Sequence, residues 1–383
     1  MRFVHTADWH IGRQFHNVSL IEDQAHVLEQ LIDSIKSAEA EALVIAGDVY
    51  DRAVPPADAV RLLSDVLSRV VLGLKVPVIM IAGNHDSPER LGFASDMLSA
   101  QGLHLAGPLV HPIQPVVLQD RSGPIAFYAI PYAEPAVVRE RFGAADTHSH
   151  NAAMQAIVTD IRTKMTVGQR AVAVAHCFVA GGEGSDSERP LTVGGAENVD
   201  AAHFAPFSYA ALGHLHRPQQ VSDRIQYSGS LLKYSFSEAA HAKSITVVDI
   251  DANGQCKTER IALSPKRDLR IVEGALEDIL EGPLPGEDAE DYLLVRLTDK
   301  HAILDAMGQL RSVYPNVLHL ERPGLFYEGE VRQPGKEQLG RSERELFGSF
   351  FEQMTGDALS DEQAAVFSET VDDLRAEDRE AQT

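Results

Sequence analysis

The sequence predicts an α/β protein in which two sheets pack face to face between outer helices, an αββα sandwich. A small α+β domain and two C-terminal helices follow. Three observations carry this expectation. The first two-thirds of the chain alternates apolar strand-like runs with helix-periodic segments, which implies a largely parallel sheet with helical cover. Five polar clusters sit at the C-terminal ends of five apolar runs. Near Pro265 the alternation gives way to a shorter pattern.

Taken in order, "RFVHTA" reads as a strand, and Ile21, Ala25, Leu28, Ile32 and Ile35 then recur on one helical face. "ALVIAG" is the second strand. Pro55 and Pro56 precede a helix carrying Leu62, Leu63, Val66, Leu67 and Val70. "VPVIMIAG" is the third strand, and Ser87-Pro88 supplies an N-cap and first turn for the next helix. The runs "IAFYAIP", "AVAVAH", "YAALGH" and "IQYSGS" come with fewer helices between them and suggest a second sheet. Residues 180–206, rich in Gly, Ser and Glu, read as a long active-site loop. "SITVVDIDANGQCKTERIAL" reads as a hairpin turning at Asn253-Gly254. Beyond Pro265, "LRIVEG", "YLLVRLT" and a helix from about His301 to Val313 form the α+β unit. Residues 323–341 read as a linker. Two amphipathic helices follow, each opened by a capping box, Ser342-x-x-Glu345 and Ser360-x-x-Gln363.

At 383 residues the chain exceeds one ordinary core, and 44% hydrophobic with 23% charged residues suits a globular protein. No apolar window reaches the roughly 18 residues of a membrane span, and "MRFVHTAD" lacks the pattern of a secretion signal. Two cysteines, Cys177 and Cys256, give no disulfide framework, so a cytoplasmic protein is expected. The net charge of −22 argues against a simple nucleic-acid binder. However, 12 acidic and 4 basic residues lie from Arg341 onward, so the tail carries much of the excess.

The five clusters are Asp8-Trp9-His10, Gly47-Asp48 with Asp51, Gly83-Asn84-His85-Asp86, His176, and Gly213-His214-Leu215-His216. In open α/β sheets, sites gather where strand ends meet loops. If the strands are neighbours, the clusters share one site. Imidazole with carboxylate suits manganese, iron or zinc, and the lack of cysteine ligands argues against structural zinc. Asp8 and His10, two apart on an extended strand, are expected on one face, as are His214 and His216. Gly47, Gly83 and Gly213 are expected to let the backbone turn sharply. The candidate ligands exceed the needs of one ion and suit two ions about 3.5–4 Å apart.

In this order the blocks D-x-H, G-D-x-x-D, G-N-H-D, H and G-H-x-H resemble the calcineurin-like metallophosphoesterases. "SDSERPLTVGGAENVDA" and "YSGSLLKYSFSE", which flank the last block, resemble the SbcD family, nuclease subunits of bacterial SbcCD complexes. The resemblance implies a metallophosphoesterase nuclease domain at 1–265, a capping domain at 266–322, and partner-binding helices at 342–383. It places Asp8, His10, Asp48 and His216 on one metal and Asp48, Asn84, His176 and His214 on the other. His85 becomes the catalytic histidine that is not a ligand. Relatives carry a second histidine where this chain has Asp51; by analogy with related phosphatases, the Asp51 carboxylate is expected to orient His85. Further implications are two manganese ions, 3′→5′ double-strand exonuclease and hairpin or single-strand endonuclease action, and an SbcC-type ATPase partner. A homodimer formed through the nuclease domain is also implied. A phosphoesterase acting on small phosphodiesters or phosphoproteins is the alternative, and a non-enzymatic scaffold ranks last because every block is intact. His5 is expected as a packed strand residue, His16, His26, His104, His111, His148, His150, His203 and His241 on the surface or in loops, and Trp9 and Cys177 as packing residues.

Overall fold

Short runs of β-branched, aliphatic and aromatic residues, most of them buried on both faces, form two six-stranded sheets. A computed structural model describes residues 1–188, 198–299, 301, 303–323, 342–355 and 358–381. β1 (Arg2–Thr6) leads into a small hairpin, β2 (Gln14–Phe15) and β3 (Val18–Ser19), then α1 (Ile21–Ser37), β4 (Ala42–Ile45) and α2 (Ala57–Ser68). β5 (Val78–Ile81), a single turn α3 (Pro88–Leu91), α4 (Ser95–Ser99) and β6 (Leu103–Ala106) follow. β7 (Val116–Asp120) and β8 (Gly123–Ile130) form a hairpin, and α5 (Pro135–Phe142) and α6 (His150–Lys164) connect it to β9 (Ala171–His176). β10 (Tyr209–Gly213), β11 (Gln219–Ser222), β12 (Ile225–Tyr227), β13 (Ser244–Ile250) and β14 (Cys256–Ala262) complete the first compact unit, Met1–Asp268.

The first sheet runs β14-β13-β1-β4-β5-β6 and the second β11-β12-β10-β9-β8-β7. Strands β1-β4-β5-β6 of the first and β12-β10-β9-β8 of the second pair in parallel. Antiparallel strands β13 and β14 extend the first sheet, and β11 and β7 flank the second. Phe3, Val44, Ile79 and Ile81 of one sheet share a core with Phe127, Val172, Val174 and Tyr209 of the other. Phe3 meets Phe127 edge-on at 5.4 Å between ring centres. On the outer face of the second sheet, Val138 of α5 and Met154, Ile157 and Ile161 of α6 pack with Tyr128, Ala173 and Leu212. The α6 stripe is thin in sequence because Ala and polar residues dilute it; Ser149 caps its start, accepting from the Ala152 amide at 3.2 Å. The predicted helix after Ser87 is only one turn long, and the Asn253-Gly254 hairpin closes through a five-residue loop in which the Gln255 carbonyl accepts from the Asp251 amide. His150 is buried, 7% exposed, at the first position of α6 and stacks near Tyr132, so its expected surface placement is corrected.

The second unit, Leu269–Thr383, contains β15 (Leu269–Gly274), α7 (Leu276–Leu280), β16 (Tyr292–Leu297), α8 (Ala306–Val313) and β17 (Val317–Glu321). The three strands are parallel, in the order β15-β16-β17, over a core of Leu276, Ile279, Leu293, Val295 and Leu310. α8 begins later than His301 because Asp305 caps it, accepting from the Gly308 amide at 3.1 Å. α9 (Glu343–Thr355) and α10 (Asp361–Ala381) both carry the expected capping boxes: Ser342 and Glu345 bond each other's amides at 2.7 and 3.3 Å, and Ser360 and Gln363 at 3.0 and 3.2 Å. Of the expected linker, residues 324–341 lie outside the described residues, as do residues 189–197 of the expected active-site loop.

One buried ion pair pins the edge of the second sheet. Asp120 of β7 takes a two-pronged contact from Arg170, at 2.7 and 2.8 Å, and lies 2.5 Å from the amino group of Met1, beside β1 of the other sheet. Both side chains are 5% exposed or less. Hydrogen bonding from Arg170 outweighs burial and holds the Asp120 carboxyl below the usual range. A depressed carboxyl stabilises the fold above its unfolded pKa, and the contribution disappears as pH falls. Asp120→Asn should therefore lower the urea-unfolding free energy at pH 7 by about 3 kcal/mol. The gap from the native chain should narrow below about pH 4.

Candidate metal centre

All but one of the five strands stop short of their polar residues; His176 is itself the last residue of β9. β1 ends at Thr6 and β4 at Ile45, and Asp8, His10 and Asp48 lie beyond them with φ of 54°, 45° and 48°. His214, just past β10, has φ of 105°. The expectation that Asp8 and His10 share the face of an extended strand is therefore corrected. A left-handed backbone, costing a non-glycine residue roughly 1–3 kcal/mol, aims each of them instead. Main-chain bonds hold the loops in step: Asp8 N to Gly47 O at 3.0 Å, His10 N to Asp48 O at 3.0 Å, and Ile11 N to Val49 O at 2.9 Å. The buried Asp86 carboxylate ties in the third loop, accepting from the Val49, Tyr50 and Gly83 amides at 2.9–3.0 Å.

The glycines act in two ways. Gly47 turns the chain at φ +92°, as expected. Gly83 and Gly213 have ordinary φ and are required by crowding instead. A Cβ on Gly83 would overlap Asp48 Oδ1, and one on Gly213 would overlap the Ala46 carbonyl oxygen.

All seven candidate ligands converge. Asp8, His10, Asp48, His176, His214 and His216 are at most 3% exposed, and Asn84 is half-buried among them. His10 Nε2 faces His216 Nε2 at 3.0 Å. Asp48 Oδ2 lies between His176 Nε2, at 3.4 Å, and His10 Nε2, at 3.7 Å, a place from which one carboxylate can serve two ions. Asn84 Oδ1 is 2.9 Å from His176 Nε2 and 3.2 Å from His214 Nδ1. Asp8 Oδ1 accepts from the His214 amide at 2.9 Å, while its buried Oδ2 has no hydrogen-bond partner among the described residues.

This donor set fits divalent cations. His176 Nδ1 donates to Ala46 O at 2.9 Å, so in the neutral ring Nε2 is a lone pair pointing at the Asn84 and Asp48 oxygens. His216 Nδ1 is engaged by Ser187 Oγ at 2.6 Å, which leaves a second bare Nε2 facing His10. Acceptors aimed at acceptors, together with the orphaned Asp8 oxygen, need positive charge between them. The ligand atoms of Asp8, His10 and His216, and separately of Asp8, Asp48 and His176, lie within 4.8 Å of one another.

The electrostatics agree. Burial pulls His10 down to about 4 and His214 to about 3, so both offer lone pairs at neutral pH. Burial raises Asp8 well above the usual range. Burial works the same way on Asp48, but His176, His10 and His85 outweigh it and hold the carboxyl low. Burial disfavours charge on His176, yet Asp48 and Asp8 overcome it and raise the ring to about 9. A proton on His176 thus stands where a cation would.

His85 Nδ1 meets the backbone carbonyl of Asp51 at 2.9 Å, and its amide donates to Asp48 Oδ1 at 2.9 Å. The expected role of the Asp51 carboxylate is corrected: the carboxylate turns to Arg13, at 3.0 Å, and lies 3.6 Å from His10 Nδ1, and it is the main chain of Asp51 that orients His85. Several supporting residues escaped the sequence reading. Gln24 bonds Gly12 N, His10 O and the Tyr234 hydroxyl at 2.7–3.1 Å, and Glu188 accepts from the His216 amide at 2.8 Å. Glu188 and Glu238 lie in the two segments flanking the last block, the only signal that could have found them. His5 bonds Tyr209 and Leu212 at 3.1 and 3.2 Å, Trp9 donates to Thr6 Oγ1 at 2.9 Å, and Cys177 is buried.

Below about pH 9 a cation must displace the His176 proton. Manganese affinity, measured by calorimetry, should rise about tenfold per pH unit between pH 7 and 9, with one proton released. A flat profile would show that no proton on His176 competes with the ion over this range.

The calcineurin-like phosphoesterase family matches residues 1–121, and the type 5 capsule protein repressor C-terminal domain matches residues 265–355. The SbcD subunit of the SbcCD nuclease from Staphylococcus epidermidis is 33% identical over 95% of this chain and 96% of its own length. Its counterpart from Staphylococcus saprophyticus is 34% identical over the same shares. Among solved structures, a dimetal phosphatase from Danio rerio is 13% identical, with a TM-score of 0.40 over 70% of this chain and 99% of its own. One-third identity along almost the full length of both chains, with all five blocks in place, means that the chain belongs to the SbcD family.

Proposed function

We propose that the chain is the metal-dependent nuclease subunit of an SbcCD-type complex, cleaving DNA phosphodiesters. The reading includes 3′→5′ exonuclease action on double strands, endonuclease action on single strands and hairpins, and a part in DNA repair, replication and recombination within the cytoplasm. The single observation that carries it is the convergence of Asp8, His10, Asp48, Asn84, His176, His214 and His216 at the seam of two sheets. Asp8, His10, Asp48 and His216 would hold one ion and Asp48, Asn84, His176 and His214 the other, manganese in this reading. Bound there, two divalent ions supply an activated water and neutralise charge on the phosphate oxygens.

The chain's own groups do the rest. With Nδ1–H donated to the Asp51 carbonyl, His85 presents Nε2 to the pocket, and the imidazolium, protonated there as well, can pass that second proton to the leaving oxygen. The Asp51 carboxylate holds Arg13 at the rim, where the guanidinium can meet a phosphate. In the second unit, α9 and α10 stack Phe347 on Phe367 at 4.0 Å and leave Phe350 57% and Val366 63% exposed. This apolar face supports docking of an SbcC-type ATPase. Phe93 and Met97, 79% and 77% exposed in the nuclease unit, support a homodimer formed there, hence two chains of each kind.

His85→Gln should retain two manganese ions and lose about 10²–10⁴-fold in the cleavage rate of a hairpin DNA. Loss of metal together with activity would make His85 a ligand, and no manganese-dependent cleavage by the native chain with its ATPase partner would overturn the reading. Phe350→Asp with Val366→Asp should abolish co-purification with the ATPase while metal content, read by atomic emission, stays at the native level.

A further inference from the structure

His216 is held differently from the other imidazoles of the centre. Every polar atom it has, apart from Nε2, is engaged away from the metal pocket. Its amide donates to Glu188 Oε1 at 2.8 Å, and its carbonyl accepts from Lys243 Nζ at 2.8 Å and from the Ser230 amide at 3.1 Å. Nδ1 meets Ser187 Oγ at 2.6 Å and Glu238 Oε1 at 3.2 Å. His176, by contrast, gives its Nδ1 proton to an uncharged backbone carbonyl.

Behind His216 lies a buried ion pair. Glu238 has no exposed surface, and Lys243 is 6% exposed. Lys243 Nζ uses its donors on His216 O, Ser230 Oγ and Glu238 Oε2, at 2.8, 2.8 and 2.5 Å. Ser187 donates its hydroxyl to Glu238, so its remaining capacity toward His216 is to accept. The proton order is then forced: His216 Nδ1–H to Ser187 Oγ, and Ser187 O–H to the Glu238 carboxylate. An ion pair buried merely for stability would gain little over apolar packing. A carboxylate behind a ligating imidazole, in contrast, fixes the tautomer and raises the basicity of the nitrogen that faces the metal.

We infer that Glu238, anchored by Lys243 and relayed through Ser187, is a positioning residue that locks His216 with Nε2 presented to one metal. This rests on the two-metal reading above. It also gives a purpose to the segments flanking the last ligand block: one contributes Ser187 and Glu188, the other Ser230 and Glu238. Their hydrogen bonds to the centre run to His216.

The test is manganese titration of the full-length native chain and of Glu238→Gln, by calorimetry and by thermal unfolding with and without manganese. Native protein should bind two ions. Glu238→Gln should bind one ion as before and the other about 10–100-fold more weakly. Its manganese-induced rise in Tm should shrink by more than its metal-free Tm falls. Two unchanged affinities, or a fall in Tm that is the same with and without metal, would reduce Glu238 to a structural ion pair and overturn the inference. No binding by the native chain would instead sink the two-metal reading. If Glu238→Gln fails to fold with Lys243 left unpaired, Glu238→Gln with Lys243→Met removes both charges and carries the same expectation for the weakened site.

Discussion

Like-signed lone pairs forced together in a low-dielectric seam are the constraint on which the first unit depends. Two carboxylates, four imidazoles and an amide oxygen meet where the C-terminal ends of five strands from two sheets converge. Such a cluster is unfavourable unless positive charge sits inside it. Without an ion, Asp48 and Asp8 favour a protonated His176, whose Nε2 faces Asp48 and Asn84. The centre is therefore organised before any metal arrives, which is what preorganisation requires.

Holding those groups still takes structure that contributes no ligand. Gln24 braces the first loop and Asp86 ties the second to the third through main-chain groups, while Glu188 holds the His216 amide and Glu238 the His216 ring. Left-handed backbone at Asp8, His10 and Asp48 persists because these bonds over-determine it. The local strain, the crowded glycines and the buried supporting carboxylates are three aspects of one requirement, since a donor displaced by an ångström no longer reaches its ion.

The second unit follows ordinary rules by comparison. Its parallel three-stranded sheet and small core read as a folded module, and the paired C-terminal helices obey their capping boxes. Their phenylalanines are half-buried, and Phe350 and Val366 lie exposed, so the pair buries only part of its apolar surface.

Most strands, the capping boxes and the seven converging side chains can be read from the sequence because each rests on local signals: apolar runs of strand length, Ser-x-x-Glu spacing, and polar blocks closing those runs. α6 was not legible, because alanines dilute its stripe, nor was the burial of His150. Which residue types meet, and in what order along the chain, follows from the sequence. How they are aimed does not. Backbone handedness at Asp8 and His10, the close approach at Gly83 and Gly213, the pairing of the Asp51 carboxylate with Arg13, and the Glu238–Lys243 pair behind His216 were settled by packing, through contacts between segments up to about two hundred residues apart. Local propensity carries no information about such contacts, because the free energy that selects them exists only once the two sheets have packed.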